Sequence, residues 1–180
     1  MKKKIILTGE SGSGKDYLLA GLIDLGLNPC LKTTTRPIRT NEINGVTYNY
    51  ITNDDFLKSI QDMIVYQKFD LSTVEEEKIW YYGIEYSQFQ LGEISIMTPL
   101  EVNSLSEKIR SESYVIYVCI EENIRRERLM IREDNNDSID RRIKSDIIDF
   151  QDFTTYDTII SDPMFNINDV YNNLIKVLGT

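Results

Sequence analysis

Short apolar runs alternate with amphipathic segments along almost the whole chain. Residues 4–8 form an apolar run too short for a helix, whereas residues 15–25 carry leucine and isoleucine at helical spacing. The same alternation continues downstream. It predicts strands near 30–31 and at 46–51, 63–69, 93–98, 114–120 and 158–161, and helices from about 53 and at 99–110, 123–132, 138–153 and 167–178. Strands alternating with helices predict right-handed crossovers and a parallel sheet, and therefore a three-layer α/β domain.

Three local patterns refine this prediction. The continuous apolar run at 114–120 is typical of a strand covered on both faces, so we place the centre of the sheet there. Asn44-Gly45 predicts a tight turn, and Thr52 with Asp55 resembles a capping box that opens a helix. Residues 70–80 form an acidic connection, which we predict to be a loop or a short helix.

Composition favours one folded domain that binds neither nucleic acid nor an anionic membrane. The 180 residues are 41% hydrophobic and 27% charged, as in globular proteins. Twenty Lys and Arg against 29 Asp and Glu give a net charge of −9, so we expect neither a nucleic acid nor an anionic membrane as partner. The basic start is followed by only three apolar residues, and no long apolar run follows, so we expect a cytoplasmic protein.

The chain contains no histidine, which restricts its chemistry. Serine–histidine and cysteine–histidine nucleophiles, histidine-bound zinc and a histidine general base are all excluded. The two cysteines, Cys30 and Cys119, lie in apolar runs, so we expect buried thiols in a reducing compartment. Catalysis would therefore depend on Lys, Arg, carboxylates, Tyr or the backbone.

A glycine-rich loop follows the first predicted strand. Its residues match the first seven positions of the phosphate-binding pattern G-x-x-x-x-G-K-[ST]. Glycines let backbone N–H groups surround a phosphate, the next helix directs its positive end at that anion, and the lysine contacts the outer phosphates. We therefore predict that a nucleotide is bound by Gly9, Glu10, Ser11, Gly12, Ser13, Gly14, Lys15 and Asp16.

Asp16 departs from this pattern, because a hydroxyl residue that binds Mg²⁺ usually follows the lysine. A carboxylate is also a suitable ligand for Mg²⁺, although without a metal it would repel the phosphates. We predict that Asp16 is a metal ligand. The alternative is that it only stabilises the helix N-terminus through its negative charge.

Further motifs resemble those of the guanylate kinase family. Residues 33–48 resemble the family segment S-T-T-R-x-x-R-x-x-E-x-x-G-x-x-Y, at the same distance after the glycine-rich loop. Tyr81-Tyr82-Gly83 resembles the family's Y-Y-G motif, and residues 156–162 resemble its Y-D-x-V-I-x-N-D strand. Arg128 and Arg132 resemble the R-x-x-x-R at the start of the family's lid, and Arg142 resembles a later lid arginine. The resemblance extends over about residues 4–178.

The resemblance implies a P-loop nucleoside monophosphate kinase fold. Its parts are a core (about 1–32, 92–124 and 155–180), a small acceptor-binding region (about 33–91) and a helical lid (about 125–154). It also implies transfer of the γ-phosphate of ATP to GMP or dGMP with Mg²⁺, by a monomer or homodimer. The acceptor phosphate would be bound by Arg36, Arg39, Tyr48 and Tyr82, with Glu42 orienting the arginines. Positive charge for the transfer would come from Lys15, Arg128, Arg132 and Arg142.

The chain departs from the family where the guanine base is recognised. Val65 and Met97 stand where the family has an acidic residue, and Lys32 stands where a small hydroxyl residue is usual. One of three acidic residues in the 70–80 connection could replace the missing hydrogen-bond acceptor: Glu75, Glu76 or Glu77. We favour the alternative, in which these three residues form a solvated charge run.

Ser95 also replaces a family acid that helps to hold Mg²⁺, which suggests that the metal carboxylate has moved to Asp16. Two other functions stay open. One is a kinase for another phosphorylated acceptor, such as a modified deoxynucleotide or a phosphosugar. The other is a catalytically silent guanylate-kinase-like module that binds phosphopeptides or proteins.

Overall fold

The computed structural model describes residues 3–38, 42–70, 78–131 and 138–178. Within these residues the strands are β1 (Lys4–Thr8), β2 (Thr33–Thr34), β3 (Asn49–Tyr50), β4 (Met63–Asp70), β5 (Ile79–Glu85), β6 (Ile94–Ile96), β7 (Ser113–Val118) and β8 (Thr158–Ile160). The helices are α1 (Lys15–Asp24), α2 (Asn53–Ser59), α3 (Tyr86–Leu91), α4 (Pro99–Ser104), α5 (Glu107–Ser111), α6 (Glu122–Ile131), α7 (Ile139–Phe150) and α8 (Ile167–Leu178). A single 3₁₀ turn, Ile60–Asp62, follows α2.

The core is a parallel sheet in the order β6-β1-β7-β8, covered on both faces. Side chains alternate along β1, so Ile5 and Leu7 pack with Leu18 and Leu22 of α1 on one face. On the other face Ile6 packs into a cluster with residues of α3, α4 and α5. Full burial of each such side chain stabilises the fold by about 1.5–3 kcal/mol. The predicted three-layer α/β fold with a parallel sheet is confirmed.

A second, mixed sheet has the order β3-β2-β5-β4. β2 pairs parallel with β3 and antiparallel with β5, and β4 and β5 are antiparallel. Phe56 of α2 packs against this sheet, with its ring stacked on Tyr81 at 5.2 Å. A Cβ at Gly83 would lie 3.0 Å from the Phe56 ring, so the close approach of α2 requires a glycine there.

Several elements differ from the sequence-based expectations. Strand β5 and helix α3 were not predicted. The single helix expected at 99–110 is two helices, because the chain turns at Leu105 and Ser106 accepts a hydrogen bond from the Ile109 N–H to start α5. The strand expected near 30–31 lies at β2, and the one expected at 46–51 is reduced to β3, because residues 45–47 form the turn expected at Asn44-Gly45.

Both cysteines are free thiols. Cys30 is buried as expected, and burial raises its pKa to about 11. Cys119 is only half-buried, which corrects the expectation of two buried thiols, because it lies just past the end of β7. Among the described helices we find none with the length and apolar character needed to cross a bilayer.

Candidate active site

The glycine-rich segment at residues 9–15, here called the phosphate loop, joins β1 to α1 at the carboxyl edge of the parallel sheet. Its glycines are required by close approaches. A Cβ at Gly9 would lie 2.5 Å from the Val118 carbonyl oxygen, and a Cβ at Gly12, whose φ is +79°, would lie 2.7 Å from the Arg125 carbonyl oxygen. The loop is therefore fixed between the end of β7 and α6, with its backbone at the N-terminus of α1, where an anion is favoured.

Buried oxygen atoms without a hydrogen-bond partner in the described part of the chain gather around this loop. They are Thr8 Oγ1, Glu10 Oε2, Ser13 Oγ and Ser95 Oγ, and a fifth such oxygen, Tyr50 Oη, belongs to β3 of the second sheet. Buried polar atoms are nearly always hydrogen-bonded in folded proteins, so such a concentration marks a place where a ligand, an ion or ordered water supplies the missing partners.

Lys15 and Asp16 project differently from the start of α1. Lys15 Nζ donates to the Glu10 carbonyl oxygen at 3.4 Å and lies 3.8 Å from Asp16 Oδ2. The Asp16 side chain is 68% exposed. Burial raises the pKa of Tyr48 to about 12. The neighbouring Tyr82 and the negative charge of Asp16 make smaller contributions in the same direction. Asp16 therefore lies close enough to Tyr48 to affect its ionisation.

Glu10 belongs to the loop, but its carboxylate points into the core. Tyr117 donates its hydroxyl to Glu10 Oε1 at 2.8 Å, and burial raises the pKa of this phenol well above its usual range. The Tyr117 ring stacks on Phe150 of α7 at 5.3 Å. The backbone N–H of Glu10, rather than its side chain, is thus the group on the anion side of the loop.

A buried ion pair connects the phosphate loop to helices α6 and α7. Asp146 of α7 accepts hydrogen bonds from the Ser11 N–H at 2.9 Å and the Ser11 hydroxyl at 3.2 Å, and it pairs with Arg125 of α6 at 3.3 Å. Arg125 is 5% exposed and donates also to the carbonyl oxygens of Ile120 and Ser11. Sequence reasoning missed this network, because Asp146 and Ser11 are 135 residues apart.

The predicted lid arginines occupy different places. Arg128 donates to the carbonyl oxygens of Gly12, Ser13 and Pro163 at 3.2, 3.0 and 2.6 Å. It lines a cavity of about 430 Å³ whose other walls are Gly14, Tyr17, Pro163, Met164 and Phe165. Arg142 lines a separate cavity on the other side of the loop. Arg132 lies outside the described residues.

Four of the five predicted acceptor-binding residues form one cluster. Arg36, which is 5% exposed, donates to both carboxylate oxygens of Glu42 at 2.9 and 2.7 Å, and through Nε to the Tyr82 hydroxyl at 3.0 Å. This pairing raises the pKa of Arg36, so the group stays cationic. The Tyr48 ring packs edge-on against Tyr82 at 6.1 Å. The fifth residue, Arg39, lies outside the described residues.

Tyr50 joins this cluster, although the sequence did not single it out. Its ring lies 5.8 Å from the Tyr48 ring and 5.7 Å from the Arg36 guanidinium. The short strand β3 carries it, and the pairing of β3 with β2 places it beside Arg36. Only its proximity to the motif residue Tyr48 in the sequence could have suggested the contact.

A cavity of about 440 Å³ lies where the phosphate loop, α7 and the second sheet meet. Its walls come from Ser11 of the loop, from Arg141, Arg142, Ser145 and Asp146 of α7, from Gln67, Phe69, Trp80 and Tyr82 of β4 and β5, from Lys32 just before β2, and from Thr98 and Glu101 at the start of α4. A cavity of this size accommodates a small organic ligand. The fold thus brings three distant parts of the sequence to one ligand-sized space.

The positions that depart from the family have contrasting surroundings. Val65 and Met97 are buried in the core cluster beneath the sheet and do not line the cavity. Lys32 does line it, with Nζ 2.9 Å from both carboxylate oxygens of Glu101. Glu101 was not identified from the sequence, although Thr98 and Glu101 form a capping box that a T-x-x-E pattern would have indicated. The acidic residues 75–77 lie outside the described residues.

Comparisons with known proteins agree on one family. The family model for guanylate kinase matches residues 1–79. The chain is 41% identical over 61 residues to a guanylate kinase of Sulfurimonas denitrificans, covering 32% of this chain and 29% of that protein. It is 28% identical over 167 residues to a guanylate kinase of Malacoplasma penetrans, covering 88% and 84% of the two chains. The chain therefore spans less than a third of the first relative and most of the second.

A solved structure matches the fold over the full length. The crystal structure of guanylate kinase from Anaplasma phagocytophilum superposes with a TM-score of 0.62, covering 99% of this chain and 85% of that one. At 15% identity this likeness shows the shared fold.

We predict that Asp146→Ala lowers the free energy of unfolding by about 3–5 kcal/mol, because it leaves the buried Arg125 charge without its partner. Asp149→Ala, at an exposed position on the same helix, is the matched control and should change it by less than about 0.5 kcal/mol. Urea unfolding followed by circular dichroism measures both. Equal stability of the two variants would contradict a structural role for this ion pair.

Proposed function

We propose that the chain, which is similar to guanylate kinases in sequence and in fold, transfers the γ-phosphate of ATP to a nucleoside monophosphate, with GMP or dGMP as the acceptors that this similarity implies. The observation that carries this proposal is the cavity of about 440 Å³ between the phosphate loop, α7 and the second sheet. Phosphoryl transfer requires a donor phosphate and an acceptor phosphate to meet in one water-poor space. Ser11, Arg142 and Tyr82 line this space from its three sides.

The ATP phosphates would bind to the backbone N–H groups of the phosphate loop and of Asp16, and to the side chain of Lys15. The cavity of about 430 Å³ on the far side of Gly14 suits the adenine ring, since Arg128 and Phe165 offer a flat cation and an aromatic face. Arg128 also holds the loop through two of its carbonyl oxygens. Its contacts support a role in shaping the donor site.

The residues at the loop fit Mg²⁺ bound together with ATP. The unpartnered oxygens of Thr8, Ser13 and Ser95 suit an ion with its water shell, and Asp16 offers a nearby carboxylate. In the described ranges we find no cluster of three acidic side chains that could cage a metal, so phosphate oxygens and water would complete its coordination. When bound, the ion would neutralise negative charge on the β- and γ-phosphates.

The acceptor phosphate would be bound by Arg36, Tyr48 and Tyr82, together with Arg39. Glu42 already holds Arg36 by two hydrogen bonds and fixes the plane of its guanidinium. Because the acceptor is already an anion, the reaction needs no strong general base, which suits a chain without histidine. Lys15 and Arg142, with Arg132, would then stabilise the charge that develops on the transferred group.

We further propose the division into a core, an acceptor-binding region and a lid, since the two sheets and the α6–α7 pair correspond to these parts. A cytoplasmic monomer or homodimer stays our expectation. A kinase for another phosphorylated acceptor is the second candidate, and the burial of Val65 and Met97 away from the cavity favours it. The silent binding module is disfavoured by Lys15 and Arg142, which a module without transfer would not need.

An ADP-release assay with ATP, Mg²⁺ and a panel of ribo- and deoxynucleoside monophosphates tests the proposal. We expect turnover with at least one monophosphate. Lys15→Ala should lower kcat at least about a hundredfold, because the ammonium neutralises developing phosphate charge. Lys58→Ala, at an exposed site on α2, is the control. A Lys15 variant that keeps more than about a tenth of wild-type kcat would exclude the phosphate-loop assignment.

Removal of the Tyr48 hydroxyl should affect only the acceptor. We expect Tyr48→Phe to raise KM for the monophosphate about tenfold or more and KM for ATP less than about twofold, since a hydrogen bond to a charged group contributes about 1.5–3 kcal/mol. Tyr86→Phe, at an exposed tyrosine on α3 outside this cluster, serves as the control. Equal increases in both KM values would assign Tyr48 to a structural role.

Asp16→Ser separates a metal ligand from a residue that only stabilises the helix N-terminus. Serine also favours helix N-termini, so in the second case little changes. In the first case Ser95 offers no anionic oxygen in its place, and we expect the Mg²⁺ concentration for half-maximal activity to rise at least about fivefold. Asp24→Ser, at the other end of α1, is the control, and Tm without nucleotide should stay unchanged in both. An unaltered Mg²⁺ requirement would refute the metal assignment.

A further inference from the structure

The cavity described above has a second polar cluster on the wall away from the phosphate loop. Lys32, Gln67, Thr98 and Glu101 are joined there by hydrogen bonds. Lys32 Nζ contacts both Glu101 oxygens at 2.9 Å, the Thr98 N–H donates to Glu101 Oε2 at 2.7 Å, and the Thr98 hydroxyl lies 3.4 Å from Gln67 Oε1. All four line the cavity.

The Glu101 carboxylate is closed to a ligand. Its side chain is only 2% exposed, and its two oxygens already accept three hydrogen bonds from Lys32 and Thr98. Lys32 is 16% exposed, and its ammonium carries three N–H donors, of which Glu101 takes two. Glu101 therefore positions Lys32, and the cluster presents a donor to the cavity instead of a carboxylate acceptor.

Gln67 adds an amide beside this donor. A carboxamide both donates and accepts, so it can pair with the edge of a ring in which a carbonyl lies next to an N–H. Three aromatic side chains also line the same cavity and suit a planar ring: Phe69, Trp80 and Tyr82. Asp146 is the other carboxylate in the cavity wall, and Ser11 and Arg125 hold it at the phosphate loop.

We propose that Lys32 and Gln67 recognise the base of the acceptor through a carbonyl–N–H edge, and that the site does not read an amino group at position 2 of the ring. This inference rests on the proposed function, because it assigns the cavity to the acceptor. The carbonyl oxygen accepts from Lys32 and the Gln67 amide, and the ring N–H donates to Gln67 Oε1. Hypoxanthine presents this edge as well as guanine does, whereas adenine presents an amino group and an unprotonated nitrogen instead.

The absence of an open carboxylate decides between guanine and hypoxanthine. The 2-amino group of guanine carries two N–H donors, which lose water on entering the cavity and need an acceptor there. The carboxylate beside Lys32 and Gln67 in the described part of the cavity is Glu101, whose oxygens Lys32 and Thr98 already occupy, so the amino group would meet no charged acceptor next to these two residues. IMP should therefore bind at least as tightly as GMP, and AMP about a hundredfold more weakly, since a site built for one hydrogen-bond pattern rejects the reverse pattern strongly.

Equilibrium titration of the full chain with IMP, GMP and AMP, without ATP, tests this inference separately from catalysis. We expect the Kd values of IMP and GMP to agree within about threefold, with IMP at least as tight as GMP and AMP about a hundredfold weaker. Gln67→Leu should reduce the preference for IMP over AMP at least about tenfold, and Gln61→Leu, an exposed glutamine outside the cavity, should not alter it.

Three results would overturn the inference. GMP bound more than about tenfold tighter than IMP would mean that an acceptor outside the described residues reads the amino group. Equal Kd values for AMP and IMP would remove Lys32 and Gln67 from recognition, and so would the absence of binding by all three. ADP release in the presence of ATP reports the proposed function independently, because a protein that binds IMP and GMP alike without turnover fails only as a kinase.

Discussion

The close packing of the phosphate loop against α6 is the constraint on which the other parts of the site depend. Gly12 leaves no room for a side chain beside the Arg125 carbonyl, and the guanidinium of the same arginine reaches Asp146 of α7. Asp146 in turn accepts from the Ser11 N–H of the loop. One arginine therefore contacts both the phosphate loop and α7. Removal of water from this contact makes the pairing stronger and its loss more costly.

Two further ion pairs also join a largely buried cation to a carboxylate. Arg36 with Glu42 and Lys32 with Glu101 each combine a cation with a carboxylate that fixes its direction, and Lys32 also lines the cavity. Each pair is largely buried, so neither residue can be replaced alone without leaving an unpaired charge. Such pairing holds donors at fixed angles before a ligand arrives, which lowers the ordering cost of binding. The cations Arg36 and Lys32 are therefore preorganised before a ligand binds.

The parts of this architecture that depend on local sequence were predictable. The β1–loop–α1 unit, strand β7 and helix α8 show their period or their glycines within a short window, and the Gly45 turn has the expected positive φ. Strand β5 was missed because its consecutive aromatics, Trp80, Tyr81 and Tyr82, hide the alternation of a strand. Partners such as Lys32 and Glu101 are 69 residues apart, and no local pattern indicates that two such charges share one cavity.

A net charge of −9 gives an unfavourable field for the binding of two phosphorylated ligands that we propose. In the described part of the site, the position of the cations compensates for the negative net charge of the chain. Exposed carboxylates act through water and are screened within about 8–10 Å at ordinary ionic strength. Arg142 lines the cavity of about 440 Å³, Lys15 is largely buried at the phosphate loop, and Arg36 is buried beside Tyr82. The effective dielectric around these cations is therefore lower, and their fields would reach a bound phosphate with less screening. A phosphorylated ligand would then be attracted mainly after it enters the site. Discrimination among such ligands would therefore depend on the groups that line the cavity, including Lys32 and Gln67, which we propose to contact the base.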